Sequence, residues 1–135
     1  MYIIIIGCGK LGCVLANELS DAGHNVSVVD REAKKLEELG NGFNGITVKG
    51  IEYDYGILKD AGIGRADYLI ASASDDNLNI TVSLVAKNIF SVPHVIAMVN
   101  NPNKKSVYKI LEIEAINPTE LISYVLRSKI ERETK

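Results

Sequence analysis

Residues 2–12 read Tyr-Ile-Ile-Ile-Ile-Gly-Cys-Gly-Lys-Leu-Gly, an apolar run of five that ends in a G-x-G-x-x-G turn from Gly7 to Gly12. A helical segment follows, then a second apolar run over residues 26–29 that closes on Asp30. Strand, glycine turn, helix, strand and terminal carboxylate fall in this order within the first 30 residues. Together they make the fingerprint of a dinucleotide-binding βαβ unit, which a lone glycine motif would not. The three glycines serve different mechanical ends. Gly7 allows the tight turn, Gly9 lets backbone approach a pyrophosphate, and Gly12 lets the helix pack closely on the strand. The phosphates then rest on free N–H groups at the helix N-terminus.

Outward from this unit, apolar strands keep alternating with helical patterns. Strands are expected at 2–6, 26–29, 46–48, 68–71, 95–99 and 115–116, rich in Ile and Val as parallel strands buried on both faces should be. Helices are expected near 11–22, 32–39, 55–61, 76–90, 103–111 and 118–130, punctuated by Gly23, Gly40, Gly42, Gly62, Gly64, Pro102 and Pro118. Strict alternation defines an α/β fold with a doubly wound, six-stranded parallel sheet of Rossmann type. The expected division is a nucleotide-binding domain over 1–117 and a C-terminal helix over 118–135.

Composition narrows the function. A chain of 135 residues, 47% hydrophobic, has room for one sizeable core and none for a separate substrate domain. The net charge of -2 and the scatter of Lys and Arg argue against a nucleic-acid partner. The longest apolar helical stretch, 80–90, carries Thr81, Ser83, Lys87 and Asn88 and is far too short to span a bilayer. The N-terminus has no basic segment before its apolar run, so a cytoplasmic location is expected. Cys8 and Cys13 have neither C-x-x-C nor zinc-knuckle spacing and read as small buried thiols.

Asp30 can accept hydrogen bonds from a ribose 2′-OH and repel a 2′-phosphate, which favours NAD, NADH, ATP or ADP over NADP. Lys10, inside the turn, is placed to meet a phosphate or to stand in solvent. Arg31 can flank an adenine or join a surface salt bridge. After the fourth strand, Ser72, Ala73 and Ser74 form a small, polar turn expected to face the glycine turn, and Ser74 or Asp75 can cap the next helix.

Catalytic groups are scarce. Tyr55 and Lys59 form a Y-x-x-x-K pair of the kind short-chain dehydrogenases use for proton transfer, but it follows the third strand rather than the fifth. His24 and His94 open strands with no clustered metal ligand beside them. A nucleotide crevice without acid, base or substrate pocket is more naturally a sensor than an enzyme. A small NAD-dependent oxidoreductase, with Tyr55 and Lys59 as acid and base, is the alternative.

Several stretches carry a family resemblance: Ile3-Ile4-Ile5-Ile6-Gly7-Cys8-Gly9-Lys10-Leu11-Gly12, Val28-Val29-Asp30, Leu58-Lys59-Asp60-Ala61-Gly62-Ile63, Asp67-Tyr68-Leu69-Ile70-Ala71, Asp75-Asp76 with Asn77 and Asn79, and Ile116-Asn117-Pro118. The chain resembles the N-terminal nucleotide-binding domain of Trk/Ktr-type potassium uptake regulatory subunits, the family of the RCK domains of potassium channels. That resemblance implies binding of NAD or NADH, or else ATP or ADP, without turnover, and a cytoplasmic subunit held at the inner face of the membrane by a potassium-translocating partner. It places Gly7, Cys8, Gly9, Lys10 and Leu11, with Gly12, at the phosphates, Asp30 at the ribose, and Ala73 and Ser74, beside Ser72, at the far end of the crevice.

Two departures fall on this pattern. Gly50-Ile51-Glu52 stands where the family commonly has Gly-Asp-Ala, which moves an acidic group by one place beside the adenine pocket of Arg31, Gly50 and Ile51. Ala97-Met98-Val99 ends the fifth strand with Met98 in place of a frequent Arg. Many relatives also continue into a second small domain, so the chain is read as either a short subunit or a fragment. In the last helix Leu121, Ile122, Val125, Leu126 and Ile130 form a stripe that either covers the monomer core or meets another subunit. The family implies the second: a homodimer or higher homo-oligomer.

Overall fold

Six strands, β1 (Tyr2–Ile6), β2 (Asn25–Asp30), β3 (Ile46–Lys49), β4 (Tyr68–Ala71), β5 (His94–Met98) and β6 (Glu114–Ile116), lie parallel in one sheet ordered β3-β2-β1-β4-β5-β6. The computed structural model describes residues 1–133; residues 134–135 of the expected C-terminal segment lie outside the described residues. Ile6 pairs with Val29 on one side and Ala71 on the other, so the carboxyl ends of β1, β2 and β4 form one rim. The strand order reverses between β1 and β4, and that switch point is where a doubly wound sheet opens its ligand crevice.

Period two divides the apolar residues between the sheet faces. Ile4, Ile6, Val29, Leu69, Ala71, Ala97 and Val99 pack on one face with Leu58 of α3 (Tyr55–Asp60), Val82 of α4 (Asp76–Leu84) and Tyr108 of α5 (Lys105–Ile110). Ile3, Ile5, Val26 and Val28 pack on the other with Cys13 and Ala16 of α1 (Lys10–Asp21) and with Leu36 of α2 (Ala33–Glu37). Cys8 and Cys13 are buried in this second cluster, as expected. The final helix, α6 (Pro118–Glu133), has no buried residue, with Ile122 58% and Leu126 57% exposed. Its stripe therefore does not cover the monomer core.

The bounds of β1 and β4 are the expected ones, the other element ends differ by at most three residues, and two helices differ in kind. The continuous helix expected over 76–90 is α4 followed by a π-turn at Val85–Ile89, with Phe90 N–H donating to Val85 O at 3.2 Å. An i→i+5 turn adds one residue without disturbing the apolar stripe, so 3.6-periodicity does not reveal it. The helix expected over 103–111 begins as a 3₁₀ turn at Pro102–Lys104, capped by Asn101, before α5. A further 3₁₀ turn at Ile63–Arg65 has no counterpart among the expected elements.

Tyr108 is fully buried and its hydroxyl is shared between the carbonyls of Met98 (3.0 Å) and Asp76 (3.3 Å). Burial first, then the Asp76 charge, holds its phenol above the ordinary value. The neutral form is thus favoured in the folded state, so Tyr108 supports the fold fully below about pH 10 and progressively less above it. Tyr108→Phe should lower stability by about 1 kcal/mol at neutral pH. It should also flatten the loss of stability between about pH 9 and 11, read by urea denaturation at both values. An alkaline loss as steep as wild type would contradict this role.

Candidate functional site

The glycine turn sits at the rim of the switch point, fixed from both sides. Gly7 adopts φ +93°, which only glycine tolerates freely, and a Cβ there would lie 2.9 Å from the Ala73 backbone. Its N–H donates to Val29 O at 2.9 Å. A Cβ on Gly12 would overlap the Gly7 carbonyl oxygen, so α1 passes against the turn at a distance that only glycine permits. Around Gly9 a Cβ would meet nothing within 4 Å. The two flanking glycines close the turn, and the middle one leaves open space at the helix start.

That open space faces the N-terminus of α1, whose cap residue is Gly9 and which receives no side-chain cap. By contrast α3 is capped by Asp54 and α4 by Asp75, while Asn117 accepts the Glu120 N–H at the start of α6. Asp75, not Ser74, is the residue that caps α4. An uncapped helix start leaves N–H donors and the positive end of the dipole for an anion. Lys10 opens α1 and is exposed, as is Leu11.

Asp30 ends β2 and is only 3% exposed. Its Oδ2 accepts the Cys8 N–H at 2.9 Å and its Oδ1 the Glu32 N–H at 2.8 Å. A carboxylate has about four lone-pair sites, so acceptor capacity remains beyond these two bonds. Arg31, next along, bonds through Nε to Glu52 Oε1 at 2.8 Å and through its backbone N–H to Oε2 at 3.3 Å. That hydrogen bond and the Glu52 charge raise the Arg31 guanidinium further above its usual value. A Cβ on Gly50 would force the Ile57 side chain to shift, and Ile51 is exposed beside it. Burial, reinforced by the hydrogen bond with Cys13, pushes the Cys8 thiol well up, so Cys8 is neutral and offers the turn its backbone only.

Across the crevice the expected residues divide by role. Ser72 is buried and its hydroxyl donates to the carbonyls of Ile6 (3.0 Å) and Gly7 (3.1 Å), which ties β4 to the glycine turn. Ala73 is bridged by the side chain of Asn79, which accepts its N–H at 3.0 Å and donates to its carbonyl at 2.9 Å. Asn79 also donates to Met98 O at 3.1 Å, and Asn100 to Ala73 O and Ser74 O. The Asp76 carboxylate holds the N–H groups of Asn100 (2.7 Å) and Asn101 (2.8 Å). Asn79, Asn100 and Asp76 thus shape the far wall. The motif Asp75-Asp76-x-x-Asn79 is visible in the sequence, but no signal there names what these side chains bind.

Tyr55 is exposed and meets Phe90 edge-on, ring centres 5.6 Å apart, and Lys59 lies one turn on along α3. In the sequence Glu52 stands out only as a displaced acidic residue; its burial and its pairing with Arg31 come from the fold. A separate cleft of about 330 Å³, lined by Lys87, His94, Glu112 and Glu114, opens at the amino ends of β4 to β6, the edge of the sheet opposite the glycine turn. Among the described residues no group of three or more His, Cys, Asp or Glu is arranged to hold a metal.

A six-stranded parallel sheet in this order, with a glycine turn at its switch point and a carboxylate at the end of β2, defines a Rossmann-type nucleotide-binding domain. The chain belongs to the TrkA-N domain family, whose model matches residues 3–118. It is similar to the Trk system potassium uptake protein TrkA of Streptomyces coelicolor, 40% identical over 116 residues, which are 86% of this chain and 52% of that protein. The chain spans about half the length of the curated relatives it matches. In fold it is similar to the TrkA-N domain of the inner membrane protein YbaL from Escherichia coli (TM-score 0.84, 15% identity, 94% of each chain). The GsuK channel bound to NAD (TM-score 0.73, 22% identity, 85% of this chain and 21% of that one) and bound to ADP (0.72, 21%, 86% and 31%) share the fold as well. No helix among the described residues is long and apolar enough to cross a membrane.

Proposed function

We propose that this chain is a nucleotide-sensing regulatory domain of a potassium uptake system, binding NAD(H) or ATP/ADP without consuming them. The observation that carries the reading is the uncapped N-terminus of α1 behind Gly9, where open space meets free N–H donors. Gly7, Cys8, Gly9, Lys10, Leu11 and Gly12 surround the phosphates. Asp30 uses its spare acceptor capacity on the ribose, Arg31, Gly50 and Ile51 border the adenine, and Ser72, Ala73, Ser74 and Met98 close the far end. Two supports come from outside the chain: relatives named as potassium uptake proteins, and a channel of the same fold with NAD or ADP bound.

Residues 1–117 form the binding domain and 118–135 the assembly segment. Leu121, Ile122, Val125, Leu126 and Ile130 of α6 are all exposed, and an apolar groove of about 420 Å³ bordered by Leu11, Ile96, Met98 and Ile116 runs beside the helix. A contiguous apolar surface of this kind marks an interface, and a two-fold homodimer is the simplest closed one. Nucleotide in the crevice acts by binding one arrangement of the two subunits better than the other. The paired chain then works at the inner, cytoplasmic face of the membrane through a potassium-translocating partner.

Three measurements test this. Ile122→Asp with Leu126→Asp should convert a dimer to a monomer in sedimentation while leaving thermal unfolding of the domain within a few degrees; a wild-type monomer would rule out the assembly role. Potassium flux through the membrane partner, co-purified with this chain and reconstituted in vesicles, should change when nucleotide is added. Flux indifferent to bound nucleotide would contradict regulation, and steady oxidation of NADH with carbonyl compounds, lost in Tyr55→Phe, would favour the oxidoreductase instead.

A further inference from the structure

Arg31 stands directly after Asp30 at the carboxyl end of β2, the neighbourhood in which a dinucleotide-binding fold lays the adenosine ribose. An arginine in this neighbourhood is the residue type that accommodates a 2′-phosphate. Here that arginine is already engaged. Glu52, 3% exposed, takes Arg31 Nε on one oxygen and the Arg31 backbone N–H on the other. The Glu52 side chain is 4% exposed and that of Arg31 44%, so the carboxylate is the fixed member and it orients the guanidinium. Lys35, another cation on this side, is itself paired with Glu32 at 3.1 Å. Asp30 and Glu52 place two carboxylates beside the guanidinium of Arg31, so its charge is already matched before a 2′-phosphate arrives.

We propose that Glu52 is a specificity-determining residue: by pairing Arg31 with its own buried carboxylate it disarms the cation that would receive a 2′-phosphate, and so restricts the site to adenine nucleotides with free ribose hydroxyls. The inference rests on the nucleotide reading above and adds to it a residue outside the glycine fingerprint. Asp30 alone repels a 2′-phosphate. Glu52 removes the attraction that Arg31 would otherwise supply, and the two act on the same corner from β2 and from the loop after β3 (Ile46–Lys49).

The test compares ligands that differ only by the 2′-phosphate, NADH against NADPH and 5′-AMP against 2′,5′-ADP, by calorimetric titration. Wild type should bind NADH and 5′-AMP at least about tenfold tighter than their 2′-phosphorylated counterparts. Glu52→Ala should move that ratio toward the 2′-phosphate by about tenfold or more, because the released guanidinium is a strong, fork-shaped phosphate ligand. Adding Arg31→Ala to Glu52→Ala should cancel the gain. Glu52→Gln, nearly isosteric, should shift the ratio in the same direction by a smaller factor and keeps the test open should the alanine variant unfold. An unchanged ratio in both Glu52 variants, a gain that survives loss of Arg31, or a wild type indifferent to the 2′-phosphate would each overturn the proposal while leaving nucleotide binding intact. A wild type that binds none of the four ligands would remove the nucleotide reading itself and this inference with it.

Discussion

Gly12→Ala should lower the stability of the domain by roughly 2–4 kcal/mol and abolish nucleotide binding. The added Cβ overlaps the Gly7 carbonyl oxygen, a backbone atom with no freedom to swing aside. Gly7 cannot retreat, because its own α-carbon faces the Ala73 backbone and its carbonyl receives the Ser72 hydroxyl at 3.1 Å. Alanine gains about 1 kcal/mol of helix propensity over glycine, which is too little to offset an overlap in a packed interior. Gly9→Ala separates the two effects. Its Cβ meets no protein atom within 4 Å, so stability should stay near wild type, yet the methyl group enters the space reserved for phosphate and affinity should fall. Urea denaturation of both variants, with nucleotide titration beside it, checks the pair. Equal stability of Gly12→Ala and wild type would mean that the close approach of α1 to the turn is not needed.

Asp30→Ala should weaken binding of NAD or ADP about a hundredfold, from the loss of charge-assisted hydrogen bonds to the ribose worth about 3 kcal/mol. The same change orphans the Cys8 and Glu32 N–H groups, which the carboxylate now accepts at 2.9 and 2.8 Å. Some stability is therefore lost as well. Asp30→Asn keeps an acceptor and removes the charge, so it should retain more of the fold than alanine while still losing affinity. Circular dichroism melts alongside titration divide the two contributions. Undiminished affinity in a folded Asp30→Ala would place the ribose elsewhere.

Much of the fold was legible because its signals are local. The Ile run before Gly7, the punctuation at Gly23, Gly40 and Gly62, and the alternation of strand and helix all act within a few residues; right-handed crossovers then narrow the topology, and the strand order itself is seen only in the sheet. The burial of the thiols was legible for the same reason. What was not legible forms across parallel crossovers. Arg31 meets Glu52 at a separation of 21 residues and Asp76 meets Asn100 at 24, pairings no window in the sequence contains. The π-turn at Val85–Ile89 was hidden because it keeps the apolar stripe of a helix. The stripe on α6 was visible as a pattern, and the exposure of Leu121, Ile122 and Leu126 excludes the reading in which it covers the monomer core.

The central claim is that the turn from Gly7 to Gly12 is a nucleotide site, and calorimetric titration of the nucleotide-stripped protein with NAD, NADH, ATP and ADP tests it most directly. Saturable binding of at least one of them at one site per chain, lost in the folded Asp30 and Gly9 variants, is the result expected. Absence of binding by all four would contradict the account and leave the chain with the fold of a nucleotide-binding domain and no nucleotide.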